Sequence, residues 1–100
     1  MKIENLKSNS GKNIANQFIV NDVTIKHVSP NLSDHFYTGK MFQSYNSNIA
    51  FITDGYVLLD KNFWNYSRTT SKYRNIFLNE TTKETLKKIE SKEYILMNLN

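Results

Sequence analysis

A chain of 100 residues and 11.7 kDa, 39% hydrophobic and 13% aromatic, has the length of one domain with one core. Thirteen basic against nine acidic side chains leave +4 at pH 7, so the chain is too apolar and too weakly charged for disorder, and its composition excludes collagen, low-complexity and disulfide-rich classes. Cysteine is absent, which removes disulfides, thiolate nucleophiles and cysteine-type zinc sites; no window approaches the roughly 18 apolar residues of a membrane span, and Met1 to Lys7 lacks a signal peptide's apolar stretch, so the expectation is a cytoplasmic domain.

Residues 1–13 are polar, carry Ser8, Ser10 and Gly11, and read as a lead-in to a single domain covering 1–100. Ile14 to Val20 and Val23 to Val28 are β-rich runs separated by Asn21-Asp22, the pattern of a hairpin. Ser29 to Gly39 holds the single proline, Pro30, and reads as the longest irregular stretch. Met41 to Tyr45 reads as a third strand. Ile49 to Thr53 and Tyr56 to Leu59 flank Asp54-Gly55, a strong short-range hairpin signal.

The period then changes. From Ser67, Thr70, Tyr73 and Phe77 recur at helical spacing, with Tyr66 projected onto the same side. Thr81-Thr82-Lys83-Glu84 has the form of a capping box that opens a second helix, with Leu86 and Ile89 as its apolar stripe and Glu84 placed four residues before Lys88 for an ion pair. Tyr94 to Leu99 reads as a closing strand, apolar enough to be covered on both sides. The expected fold is α+β: an antiparallel meander of about five short strands, two helices, and a C-terminal strand that returns to the sheet.

The charge is regional. Residues 61–92 hold eight basic against three acidic side chains, a net of +5, and the rest of the chain nets −1. Fourteen Asn and eleven Lys against two Arg are what an AT-rich genome produces, so lysine abundance is discounted. Both arginines nevertheless fall on the first predicted helix, where Arg68, Lys72, Asn75 and Asn79 project opposite the aromatic stripe and Arg74 sits to one side. Such a face suits phosphates or an acidic protein surface, although a solvated amphipathic helix has the same pattern. Lys61 and Trp64 precede that helix, and Tyr45 follows Phe42-Gln43-Ser44. Phe63, Trp64 and Tyr66 serve either base stacking or the anchoring of a strand-to-helix corner.

Catalytic patterns are missing. His27 and His35 stand eight apart without further ligand spacing, and Asp34 beside His35 is the best of the weak metal candidates. Three glycines cannot build a phosphate-cradling loop, and no serine elbow occurs. Asp54 and Asp60 flank one predicted strand, a thin basis for a metal-dependent nuclease. Neither a cofactor nor a metal is expected.

Phe42-Gln43-Ser44-Tyr45, Ile49-Ala50 and the run Trp64-Asn65-Tyr66-Ser67-Arg68-Thr69-Thr70-Ser71-Lys72-Tyr73-Arg74-Asn75-Ile76-Phe77-Leu78 resemble a family of small uncharacterised proteins from phages and plasmids of Gram-positive bacteria, known as a domain of unknown function. Gly11 to Phe18 matches that family's start, and the likeness covers most of residues 11–100. Asn65 stands where the family has Asp, and residues 21–40 exceed its usual link. The resemblance implies a mobile-element accessory factor in a bacterial cytoplasm. By analogy with small phage proteins, it would bind and inhibit host nucleic-acid-targeting machinery, as anti-CRISPR proteins do, using Arg68, Lys72 and Arg74. Two other readings stay open: direct DNA or RNA binding by the basic helix, and a homodimer or larger homo-oligomer through a sheet edge at Tyr94–Leu99.

Overall fold

A computed structural model describes residues 2–27 and 35–100. Five antiparallel strands run in chain order: β1 (Lys2–Lys7), β2 (Asn13–His27), β3 (His35–Ser44), β4 (Ser47–Thr53) and β5 (Tyr56–Asp60). Two helices follow, α1 (Arg68–Leu78) and α2 (Thr82–Glu90), and β6 (Tyr94–Met97) returns to lie parallel to β5. The sheet order β1-β2-β3-β4-β5-β6 leaves β1 and β6 as its edges. The expected meander, two helices and closing strand are all present in one α+β domain, with a Cα radius of gyration of 13.3 Å.

Three strand assignments change. The polar lead-in is β1, turned back by Ser8 to Lys12 with Gly11 at φ +83°. Asn21-Asp22 is not a hairpin. The chain continues straight through as one 15-residue strand, and the two residues form a bulge between the pairs Val20↔Met41 and Val23↔Gly39. Asp22 adopts φ 56°, so the tolerance for left-handed backbone that makes Asx a turn residue serves the bulge equally well. Of the Ser29–Gly39 stretch, residues 35–39 belong to β3, and the remainder, with Pro30 and Asp34, lies outside the described residues. The Asp54-Gly55 hairpin forms as expected, with Thr53 paired to Tyr56.

Register aligns two apolar rows across the sheet. On the helix side Ile19, Phe42, Ala50, Leu59 and Leu96 face one another strand by strand. Phe42 stacks on Phe77 of α1 at 5.5 Å, and Ile76, Trp64 and Ile89 pack over the same cluster. On the opposite side Ile3, Val20, Met41, Phe51, Leu58 and Ile95 form an unbroken row over all six strands. Neither α1 nor α2 covers this second row. Its middle is buried by Val23, Ile25 and Tyr37, by Met97 at the end of β6, and by Leu99 in the segment that follows. That segment is held as a strap: Asn48 Nδ2 donates to Leu99 O at 2.9 Å, Asn100 Nδ2 donates to Asn48 O at 3.0 Å, and Leu99 N donates to Asp60 Oδ1 at 2.8 Å. Gly39 is required where β3 crosses close to β4, because a Cβ there would sit 2.0 Å from Ile52 O.

Candidate partner-binding surface

Ser67 starts α1 as N-cap, its hydroxyl accepting from Thr70 N, and Asn79 ends it in the left-handed region at φ 56°. The helix buries Thr70, whose hydroxyl meets that of Ser44 at 3.3 Å, and lays Tyr73, Ile76 and Phe77 on the sheet. Tyr66 lies before the cap and is exposed, its ring edge-on to Phe63 at 5.3 Å. Phe63 and Trp64 anchor the strand-to-helix corner in the core, the structural of the two readings weighed for them.

Arg74 departs most from expectation. The sequence projection puts it beside the outer basic face, but it is the largest fully buried side chain, at 0% exposure. Its guanidinium donates to Trp64 O, to Asn65 Oδ1 at 3.2 Å, to Asn75 Oδ1 at 2.9 Å and to Thr82 Oγ1 at 2.9 Å, and lies 5.1 Å over the Trp64 ring. Four acceptors from the corner, α1 and α2 thus converge on one planar donor fork, an arrangement that lysine's point charge cannot reproduce. Burial lowers the Arg74 pKa, and the nearby Glu80 charge partly opposes that shift. Asn75 belongs to the same network: it is half-buried and also donates to Thr82 Oγ1 at 3.2 Å. Arg74 is thus out of a partner's reach, and the Asn75 amide is engaged in the same network.

A second node sits beside the first. Glu80 Oε1 accepts from Tyr94 Oη at 2.6 Å and Lys88 Nζ at 2.9 Å, and Oε2 accepts from Thr85 Oγ1. Burial alone would push this carboxyl up, but the hydrogen bonds from Thr85, Tyr94 and Lys88, with the Lys88 charge, outweigh it and hold it below the usual range. Burial pushes Tyr94 up to about 12, reinforced by its bond to Glu80. Lys88 therefore pairs with Glu80 and not, as the four-residue spacing implied, with Glu84. Glu84 turns back to Thr81 N at 3.0 Å and completes the expected capping box. On α2 the buried residue is Thr85, whereas Leu86 of the expected stripe is exposed.

Asp60, considered as a nuclease ligand, is fully buried and accepts from Asn62 N, Phe63 N and Leu99 N at 2.8–3.1 Å. Among the described residues, no group of three or more His, Cys, Asp or Glu converges as a metal cage. The backbones of His27 and His35 are register partners. A hollow of about 440 Å³ beside the end of α1 is walled by Ile19, Ile52, Ile76 and Phe77, with Lys40 and Asp54 also lining it. The hydroxyls of Thr38 and Thr53 next to it are both spent, on Thr24 Oγ1 and on Thr38 O.

The basic surface that remains is smaller than the sequence implies, and better defined. Arg68 and Lys72 are exposed on α1, with Lys72 Nζ 5.4 Å over the Tyr73 ring; Lys61 is exposed at the corner, and Asn79 is exposed as the helix cap. Tyr45 is exposed in the β3–β4 turn at φ 54°, next to the Ser44–Thr70 contact and so beside the first turns of α1. Across residues 61–92 the exposed side chains include six basic (Lys61, Arg68, Lys72, Lys83, Lys87, Lys92) and two acidic (Glu84, Glu90). No described helix is long and apolar enough to cross a membrane.

The molecule is thus a small α+β domain whose charged groups divide into a buried polar frame and an exposed basic helical side. Its sequence belongs to a family of unknown function, DUF8033, whose profile matches residues 1–94. Neither the curated proteins nor the solved structures compared with it include a match.

Proposed function

We propose that this protein is a non-enzymatic accessory factor of a phage or other mobile element, which acts by docking its helical side on host nucleic-acid-targeting machinery. The observation that carries the reading is the separation of charge. Arg74, Glu80, Lys88 and Asp60 are consumed in holding the fold, while the exposed side chains of the helical segment are six basic against two acidic, and both exposed charges of α1, Arg68 and Lys72, are positive. A surface of that sign steers toward acidic protein or toward the nucleic acid held by a nucleoprotein, and cannot imitate DNA. The resemblance to mobile-element proteins supports the choice of host machinery as the target.

The test is co-purification of the tagged chain from its host, followed by reconstitution with the purified partner. Arg68→Glu with Lys72→Glu is expected to weaken that complex at least tenfold, about 1.4 kcal/mol or more, with the fold intact. No host nucleic-acid enzyme in the eluate, or an unchanged affinity in the double variant, would overturn the reading. If the isolated chain instead binds bare duplex DNA, with log affinity falling by about 0.9 per phosphate contact against log salt, direct nucleic-acid binding replaces it.

A further inference from the structure

The two edges of the sheet are built differently. β1 carries Lys2, Glu4 and Lys7 and has a register shift between Asn5 and Lys7; charges and bulges are the devices that keep an edge strand from accepting a neighbour. β6, Tyr94-Ile95-Leu96-Met97, has no charge, no proline and no register shift against β5. Both apolar rows of the sheet run out at this edge. The helix-side row ends on Leu96, 41% exposed, and the opposite row ends on Ile95, 40% exposed, so β6 shows an aliphatic side chain on each face beside a backbone edge that no other described strand pairs. On the β1 edge the helix-side row is ended by Glu4, paired with Ile19.

We infer that β6 is a strand-addition edge and that its occupant is β6 of a second copy, paired antiparallel about a two-fold axis. A strand that fits here has to be uncharged over four residues and apolar on both faces at consecutive positions, because it must extend both rows. β6 itself meets those conditions and β1 does not. Opposed residues of antiparallel strands point to the same face. A symmetric pairing is therefore centred on Ile95 or on Leu96. The first register sets Ile95 against its symmetry mate and Leu96 against Tyr94; the second sets Leu96 against its mate and Ile95 against Met97. Only apolar side chains meet at the centre in either case. Such an interface is isologous and closes at two copies, and the charged β1 edge stops further growth. The sheet continues across the axis with its faces matched, so the helices of both copies stand on one side.

This inference rests on the edge and not on the proposed function, and it is tested without any host partner. Sedimentation and light scattering from about 10 to 200 µM are expected to give twice the 11.7 kDa chain mass at the upper end. Ile95→Lys is expected to shift that association at least tenfold toward monomer, with its thermal midpoint within a few degrees of the parent because the side chain is exposed. Ile3→Lys, on the other edge, is expected to leave association unchanged. The cysteine-free chain allows a second readout: on mild oxidation either Ile95→Cys or Leu96→Cys yields a disulfide-linked dimer, and Ile3→Cys does not. A parent that stays monomeric at 200 µM, a dimer indifferent to Ile95→Lys, or cross-linking at neither β6 position would overturn the inference.

Discussion

Replacing Arg74 by alanine removes the donor on which the corner, α1 and α2 converge. Trp64 O, Asn65 Oδ1, Asn75 Oδ1 and Thr82 Oγ1 lose their guanidinium partner together, and the Trp64 ring loses the cation above it. Hydrogen bonds to a charged donor contribute about 1.5–3 kcal/mol each. They do not add here, because folding has already desolvated the guanidinium and its buried Nε has no acceptor. The stack over tryptophan adds about 1 kcal/mol. The net loss is expected at about 3–5 kcal/mol, because several part-buried neutral acceptors are left unpaired at about 1–3 kcal/mol each and some of them recover water. At about 4–8 °C per kcal/mol for a domain of this size, a 4 kcal/mol loss lowers the melting temperature by roughly 15–30 °C. Arg74→Lys, which keeps the charge but not the planar fork, falls between the parent and alanine. Arg68→Ala, on the exposed side of the same helix, is expected to stay within about 0.5 kcal/mol of the parent. Circular dichroism with urea and thermal unfolding reads all three. An Arg74→Ala loss below about 1 kcal/mol would refute the buried-node argument and return Arg74 to the surface set.

The Glu80 node makes stability pH-dependent in two directions. The Glu80 carboxyl is held below its unfolded value, so its contribution is present above about pH 4.3 and is lost as pH falls through the folded pKa. The stability gap between the parent and Glu80→Gln in denaturant titrations is therefore expected to shrink in acid. Tyr94 is shifted the other way, up to about 12, so its contribution is complete below about pH 10 and fades as pH rises toward that value. Tyr94→Phe is expected to be less stable by about 1 kcal/mol at pH 7, with the difference closing above pH 10. Gly39→Ala drives a Cβ into the Ile52 carbonyl and is expected to cost about 3 kcal/mol or more; a melting temperature equal to the parent's would show that β3 and β4 separate easily.

Signals confined to a few neighbouring residues were legible. The Asp54-Gly55 turn, the Thr81–Glu84 capping box and the Tyr73–Phe77 stripe depend on residues within about one helical turn, and each is found in place. What depends on distant neighbours was not. Lys2 to Lys7 looks like a polar lead-in, because an edge strand buries little and only Leu6 is carried into the core. Asn21-Asp22 supports a turn or a bulge, and only the 15-residue pairing of β2 with β3 selects the bulge. Arg74 reads as surface by residue type, since its burial is compensated by acceptors from Trp64 to Thr82 that no helical projection brings together. The same applies to Lys88, where spacing favours Glu84 but tertiary placement supplies Glu80. Of the candidate binding residues, Arg68, Lys72, Lys61, Tyr45 and Asn79 remain accessible, Trp64 is half-covered, and Arg74 with Asn75 has become frame.

The strap after β6 also orders events along the folding chain. Strands β1 to β5 pair each with its sequence neighbour, so the meander closes over short sequence separations at low entropic cost. β6 has to span the whole helical segment to reach β5, and the strap joins Leu99 to Asp60 across 39 residues and Asn100 to Asn48 across 52. Until those long loops close, the Asp60 carboxylate lacks one of its three amide donors and Phe51 and Leu58 lack part of their cover. Residues 94–100 thus act as the latch of the folding reaction. Local pairing favours early assembly of the meander, and full closure of the sheet requires residues 94–100.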